Sequence, residues 1–304
     1  MIMKKISILI VLGIISLAGF SQQQPMYGQY MFNMLNVNPA YAGNRDVGNV
    51  NFLVRRQWLG IDGAPTTGSI SYDQRIKDKN FSLGGQIFYD NIFIQKRSGF
   101  QGFYSYSAPM NKSTLSLGMS FGVMNYNANY GRTNPFQAGD PALQRVVNAF
   151  LPTAGFGALW SGEKWYLGFS SPNLFRSYKS EVDGKSVSLA GKEGHYYVTG
   201  GYIFSMSDQV VAKPSLMIKS VNGAPVQYDL NMNFWFGDRI GLGASYRTSD
   251  AIVGIAELQL NPQFRIGYAF EQKIKVVNTT SHELMMRYEF GGLLGKKILS
   301  PRYY

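Results

Sequence analysis

The chain has 304 residues, of which 45% are hydrophobic, 14% aromatic and only 15% charged, with 34 Gly, no Cys and a formal charge of +11. Typical usage is about 25% charged and about 7% Gly, so this chain is poor in charge and rich in Gly and rings. With a mean hydropathy of −0.12, that excludes collagen, disordered tails, disulfide scaffolds and helical membrane bundles, and leaves a soluble β-rich protein or a membrane β-barrel.

The first residues read as an export signal. Lys4 and Lys5 precede an apolar run from Ile6 to Phe20, and the small residues Gly19 and Ser21 fit a cut after Ser21. The run is short for a transmembrane helix of ~20 residues, although a retained anchor helix is the alternative. No Cys follows it to carry a lipid. Cleavage would leave Gln22 to Tyr304 and lower the charge from +11 to +9 through loss of Lys4 and Lys5. That charge favours acidic lipid head groups or an acidic partner. The basic residues form no dense block, so no nucleic-acid partner is expected.

Residues 22–48 have no period. They contain Gln29-Tyr30-Met31-Phe32-Asn33 and Asn38-Pro39-Ala40-Tyr41-Ala42-Gly43. A mixture of rings and amides suits a plug in a polar lumen. Tyr30, Phe32 and Tyr41 would pack on the inner wall, and Asn33 and Asn38 would hydrogen-bond there. The alternative is a loose periplasmic arm.

From residue 49 to 290 the chain alternates in period two. Val226, Tyr228, Leu230, Met232, Phe234 and Phe236 are apolar or aromatic, the residues between them are polar, and Trp235 alone breaks the rule. Leu115, Leu117, Met119, Phe121 and Val123 alternate in the same way with Ser116, Gly118, Ser120 and Gly122. The second face carries Gly, Ser, Asn and Gln rather than the Lys, Glu and Thr expected of a soluble sandwich. Such residues suit a narrow barrel interior while the apolar face meets lipid. A soluble sandwich or propeller is the alternative.

Fourteen strands are expected, at 49–58, 66–75, 80–90, 99–107, 113–124, 151–161, 164–170, 195–206, 209–219, 226–236, 239–247, 251–260, 263–271 and 281–290. An even count is what bacterial barrels show. Short connections such as Lys77-Asp78-Lys79 and Gly237-Asp238 alternate with longer ones, of which 125–150 and 171–194 are the longest. Trp58, Trp160, Trp165 and Trp235 fall near strand ends, as interfacial belt residues do.

The two long connections carry Tyr130, Arg132, Phe136, Arg145, Phe175 and Arg176, the residue types enriched at interface hot spots. They are the candidate partner-binding residues, with contacts to lipopolysaccharide as the alternative. Catalytic chemistry is thin. His282-Glu283 lacks the second His of a zinc-protease motif, because Met286 stands there. His195, beside Tyr196 and Tyr197, reads as interfacial. Gly118-Met119-Ser120-Phe121-Gly122 matches a nucleophile elbow but lies inside an alternating strand rather than a strand–turn–helix. No catalytic, cofactor or metal site is expected. Residues 291–304, with Lys296, Lys297 and Arg302, read as a periplasmic tail.

Several of these stretches also resemble one family. Gln29 to Asn33, Asn38 to Gly43, Arg56-Gln57-Trp58-Leu59-Gly60 with Gly63-Ala64-Pro65, Ser281-His282-Glu283 and the ending Ser300-Pro301-Arg302-Tyr303 are similar to the PorP/SprF family. These are outer-membrane proteins of the type IX secretion system of Bacteroidetes. The resemblance spans the mature chain and departs at Met34-Leu35, where Asn-Pro would follow the motif. It implies a fatty-acid-transporter-like barrel with no enzymatic activity. It also implies a partner, a secreted surface adhesin bearing a C-terminal sorting domain, and a link to the secretion and gliding machinery. Two rivals are a periplasm-facing core subunit of that machinery and a passive or ligand-selective pore.

Overall fold

The computed structural model describes residues 27–45, 47–132, 146–173, 178–182, 185–189, 194–221, 224–274 and 279–290. The expected signal peptide and the tail at 291–304 lie outside them.

The alternating segments form strands that run antiparallel to their neighbours around a closed wall. In chain order these are β1 (Asn49–Arg56), β2 (Thr66–Arg75), β3 (Phe81–Ile92), β4 (Gln95–Met110), β5 (Ser113–Asn129), β6 (Val146–Gly162) and β7 (Trp165–Ser171). After a small separate hairpin, β8 (Tyr178–Val182) with β9 (Lys185–Leu189), come β10 (His195–Tyr202) and β11 (Phe204–Ser205). The rest are β12 (Val210–Val221), β13 (Gln227–Phe236), β14 (Ile240–Arg247), β15 (Ala251–Gln259), β16 (Phe264–Lys273) and β17 (Thr280–Glu289).

β10 and β11 keep one register on β12, with Gly201 opposite Ser215 and Phe204 opposite Ala212. They are one strand interrupted at Ile203, next to Tyr202, whose register position faces Pro214, which has no N–H to give the ladder. The wall therefore has fourteen strands. It closes where β1 pairs with β17, from Asn49↔Glu289 to Arg56↔His282. Closure gives every wall strand a neighbour on both sides, as lipid demands.

Side-chain burial runs opposite to that of a soluble protein. On β5, Leu117, Met119 and Phe121 are 46–60% exposed on the outer wall, whereas Ser116 and Ser120 are buried on the inner one. β17 places Leu284 and Tyr288 outside and Glu283, Met285, Arg287 and Glu289 inside. One face meets lipid and the other a packed polar lumen.

The short turns mark the periplasmic end. One of them joins β13 to β14 through Gly237 and Asp238, both at φ +55, with the Arg239 N–H donating to the Phe236 carbonyl at 3.1 Å. Two central residues with positive φ are the signature of a type I′ hairpin, whose twist matches the strands.

Three findings modify the sequence reading. The strands β4, β5 and β6 reach 16, 17 and 17 residues, longer than expected, because alternation continues above the membrane with its polarity exchanged. The outer face passes from Phe121 and Val123 to Asn125, whose side-chain amide donates to Asn148 at 2.9 Å, while Met124, Tyr126, Ala128 and Leu151 pack inside. The connection 171–194, expected to lack regular structure, carries the β8–β9 hairpin. Trp235 and His195 are not interfacial. Both are buried on the lumen side, where the register of β13 and β10 points them. Trp58, Trp160 and Trp165 do lie at the ends of strands or in outer connections, and the rings of Trp160 and Trp165 meet edge-on at 4.9 Å.

A closed barrel of this kind resists detergent. The unboiled protein is expected to migrate ahead of the boiled protein on denaturing gels. Identical mobility would be incompatible with closure between β1 and β17.

Candidate functional site, a plugged lumen

Residues 27–45 fill the lumen. Three short 3-10 turns, Tyr30–Phe32, Met34–Asn36 and Pro39–Tyr41, satisfy much of the segment's own backbone. Met34-Leu35, the departure from the family motif, begins the second of them. The wall satisfies more. At the outer end the Gly28 and Gln29 N–H groups donate to the two oxygens of Glu283 at 2.6 and 3.0 Å, and the Tyr27 hydroxyl donates to Ser69 at 3.4 Å. In the middle Ser170 donates to the Val37 carbonyl at 2.8 Å and Ser105 to the Ala40 carbonyl at 3.2 Å. At the periplasmic end the Gly43 N–H donates to Asp73 at 2.7 Å, and Arg45 pairs with Glu289.

Glycines make this approach possible. A Cβ on Gly118 would stand 2.2 Å from the Ala40 nitrogen, and one on Gly157 would stand 2.0 Å from the Asn38 side-chain oxygen. On Gly267 it would meet the Gln29 side chain at 2.7 Å. The small residues of the polar face are thus the socket into which the segment is pressed. Gly118 and Ser120 of the elbow-like motif belong to this socket, and Gln101 donates to the Ser120 hydroxyl at 3.0 Å.

Each residue named for the plug has a defined place. Tyr30 accepts a hydrogen bond from Asn231 at 2.6 Å, and Asn33 donates to Ser71 at 2.9 Å. Asn38 donates to the carbonyl of Ala158 at 3.0 Å and takes the Ala40 N–H at 2.9 Å, which caps the third turn. Tyr41 meets the ring of Tyr166 edge-on at 6.3 Å. Phe32 lies beneath the Arg287 guanidinium, 4.2 Å from its ring centre. A cavity of about 30 Å³ remains between Phe32, Tyr41, Arg45, Asp73 and Arg287, room for a water or two.

Charge is arranged in two tiers around the plug. In the outer tier Arg55 bridges Glu283 and Glu271, the latter at 2.8 Å. Arg247 joins Glu271 at 3.2 Å to Asp229 at 3.1 Å. Lys273 closes the group on Asp250 at 2.5 Å. Burial alone would raise the Asp250 carboxyl, but Lys273 and Arg247 hold it below the usual carboxylate range. In the periplasmic tier Arg265 stacks 4.4 Å from the Trp235 ring centre, and the Lys213 ammonium lies 5.5 Å from it. That explains the aromatic residue on the polar face of β13, since a buried ring face attracts cations.

The partner-binding candidates are placed less fully. Tyr130 is half-buried against the cluster of Met124, Tyr126 and Leu151, and Arg132 ends the adjoining 3-10 turn Tyr130–Arg132. Phe136, Arg145, Phe175 and Arg176 lie outside the described residues.

A family model for the type IX secretion system membrane protein PorP/SprF matches residues 19–288. The chain belongs to the PorP/SprF family. No curated protein matches it in sequence. Among solved structures, this PorP/SprF chain is similar to the CymD monoaromatic hydrocarbon channel, with a TM-score of 0.54 at 11% identity, over 90% of this chain and 95% of that one. It is also similar to the TodX deltaS2S3 mutant monoaromatic hydrocarbon channel, with a TM-score of 0.50 at 9% identity, over 87% and 94% of the two chains. At such identities the likeness shows the outer-membrane channel fold alone.

Sequence reasoning missed the ion network of this PorP/SprF barrel. Arg55, Asp229, Arg247, Glu271 and Glu283 all sit on polar-face positions, but alternation says only that they point inward, not that strands remote in sequence bring them together. The network makes a sharp expectation. Arg55→Met leaves buried Glu283 with backbone N–H donors but without its cation, and Glu271 with Arg247 and Lys273 alone, and breaking a buried pair costs about 3–5 kcal/mol. A matching loss in reversible urea unfolding of the detergent-folded barrel checks it. A change below about 1 kcal/mol would mean that water replaces the guanidinium.

The socket makes a second one. Gly118→Val should unseat the plug without opening the wall. Its heat-shifted gel band is expected to persist while single-channel conductance in planar bilayers rises several-fold.

Proposed function

We propose that this PorP/SprF protein is a non-catalytic platform of the type IX secretion system, exported by a cleaved signal and seated in the outer membrane. It supports secretion and surface attachment of an adhesin carrying a C-terminal sorting domain, and through that partner it serves gliding motility. The observation that carries the reading is the occupied lumen. Residues 27–45 are fastened at both ends and along their length by the wall. A passage blocked in this way suits a protein that presents its surface rather than one that passes solutes.

The partner would engage the outer mouth through Tyr130, Arg132, Phe136, Arg145, Phe175 and Arg176, with lipopolysaccharide around it. Phe136→Ala with Arg145→Ala is expected to leave the amount of heat-shifted barrel unchanged and to lower adhesin retained on the cell surface several-fold. Unchanged retention would move the binding site to the periplasmic side and favour the reading as a core subunit, with the tail around Lys296, Lys297 and Arg302 as its contact. Solute flux through the intact protein in liposomes would favour the pore.

A further inference from the structure

Large apolar side chains stand in the open at the outer mouth, away from the two long connections. In the β1–β2 connection Trp58, Leu59 and Ile61 are 37, 44 and 45% exposed, and in the β3–β4 turn Phe93 is 56% exposed. These connections are built, not slack. The Gln57 N–H donates to the Pro65 carbonyl at 2.9 Å, Ile61 to Trp58 at 3.1 Å and Ala64 to Ile61 at 3.2 Å. Leu59 donates across to Thr280 on β17 at 3.3 Å, and Phe93 donates to Gly63 at 3.0 Å. Gly63 has φ +74, and a Cβ there would stand 2.6 Å from the Phe93 ring, so the ring lies directly on the glycine. Trp58 and Phe93 themselves have φ of +49 and +52, a left-handed conformation unfavourable for bulky residues. The surrounding bonds hold two aromatic residues in unfavourable backbone geometry while leaving their side chains to the outside. Such strain, kept in place by its surroundings, concentrates at recognition sites.

Lipid does not account for this surface. Between it and the apolar band runs an outward-facing polar row in continuous register, Arg56↔Thr66, Thr66↔Asn91 and Asn91↔Lys96. The patch therefore stands beyond the level at which side chains facing the bilayer are apolar. Its flanks are basic, with Arg56 and Lys96 exposed against the single exposed carboxylate of Asp62. Apolar anchors on a rigid base with a charged rim are the anatomy of a protein interface.

Resting on the platform reading, we infer that Trp58, Leu59, Ile61 and Phe93 form a docking surface for an exported protein segment that presents apolar side chains flanked by Asp or Glu. The apolar side chains supply the contact, and Arg56 and Lys96 select the acidic flank and steer it.

A photo-crosslinking residue at Ile61 tests this in intact cells, with lipid-facing Ile87, 64% exposed, as the control position. The Ile61 probe is expected to trap a polypeptide that external protease digests, and the Ile87 probe is not. Adding Arg56→Glu and Lys96→Glu should lower that adduct at least five-fold while the heat-shifted barrel band persists. If the double charge reversal depletes the barrel, Leu59→Ser with a probe at Phe93 replaces it, with the same five-fold loss expected. An adduct of lipid or of a second copy of this chain alone, or a yield indifferent to these changes, overturns the inference. If Ile61 traps nothing while a probe at Tyr130 traps the surface polypeptide, this patch falls and the platform stands. If neither position traps it and the adhesin is still retained, both fall.

Discussion

One carboxylate connects the plug to the wall. Glu283 takes two backbone N–H groups from Gly28 and Gln29 and the guanidinium of Arg55. Arg55 is shared with Glu271, Glu271 with Arg247, and Arg247 with Asp229, so the charge set at Glu283 is balanced across β1, β13, β14, β16 and β17. Buried in this way, each ion depends on its neighbour, because a carboxylate in a dry lumen is tolerable only when paired and hydrogen-bonded. The outer end of the plug is therefore as secure as the wall that carries these five strands.

The periplasmic end adds different physics. Phe32 and Trp235 offer ring faces to Arg287 and Arg265, while Arg45 with Glu289 and Arg265 with Glu257 at 3.6 Å repeat the ion-pair theme. Between the ends wall hydroxyls donate to plug carbonyls and the Asn38 amide of the plug donates to a wall carbonyl, seated where Gly118, Gly157 and Gly267 have no side chain. The lumen is thus a fitted socket, and its Gly and Ser content follows from the backbone that it accommodates.

Much of the wall could be read from alternation. Leu117, Met119 and Phe121 against Ser116, Gly118 and Ser120 fix both the strand and its two faces, because period two admits one assignment per strand. The family was legible from short motifs, and the wall count from turn spacing. What was not legible depends on height and on neighbours. Trp235 looked interfacial because alternation gives the face of a residue but not the cation that waits there. The extension of β4 to β6 was hidden because, once above lipid, polar Asn125 faces outward and apolar Met124 faces inward, the reverse of the rule below. The patch at Trp58 and Phe93 was not found because each residue is unremarkable alone, and the Gly63–Phe93 contact that unites them crosses two connections.

The plug runs lengthwise through the barrel, entering beside Glu283 at the outer end and leaving beside Glu289 at the periplasmic end, where it continues into β1. Both of those glutamates lie on β17, the strand that also closes the wall against β1. The contacts from Gly28 to Glu283 and from Arg45 to Glu289 span 255 and 244 positions of sequence. Long-range contacts of this kind form late, since the intervening chain must first be ordered. The segment that precedes β1 is thus secured by the last strand of the wall. The seam that seals the wall and the contacts that hold the lumen segment thus fall to one strand, so a change that displaces β17 reaches both.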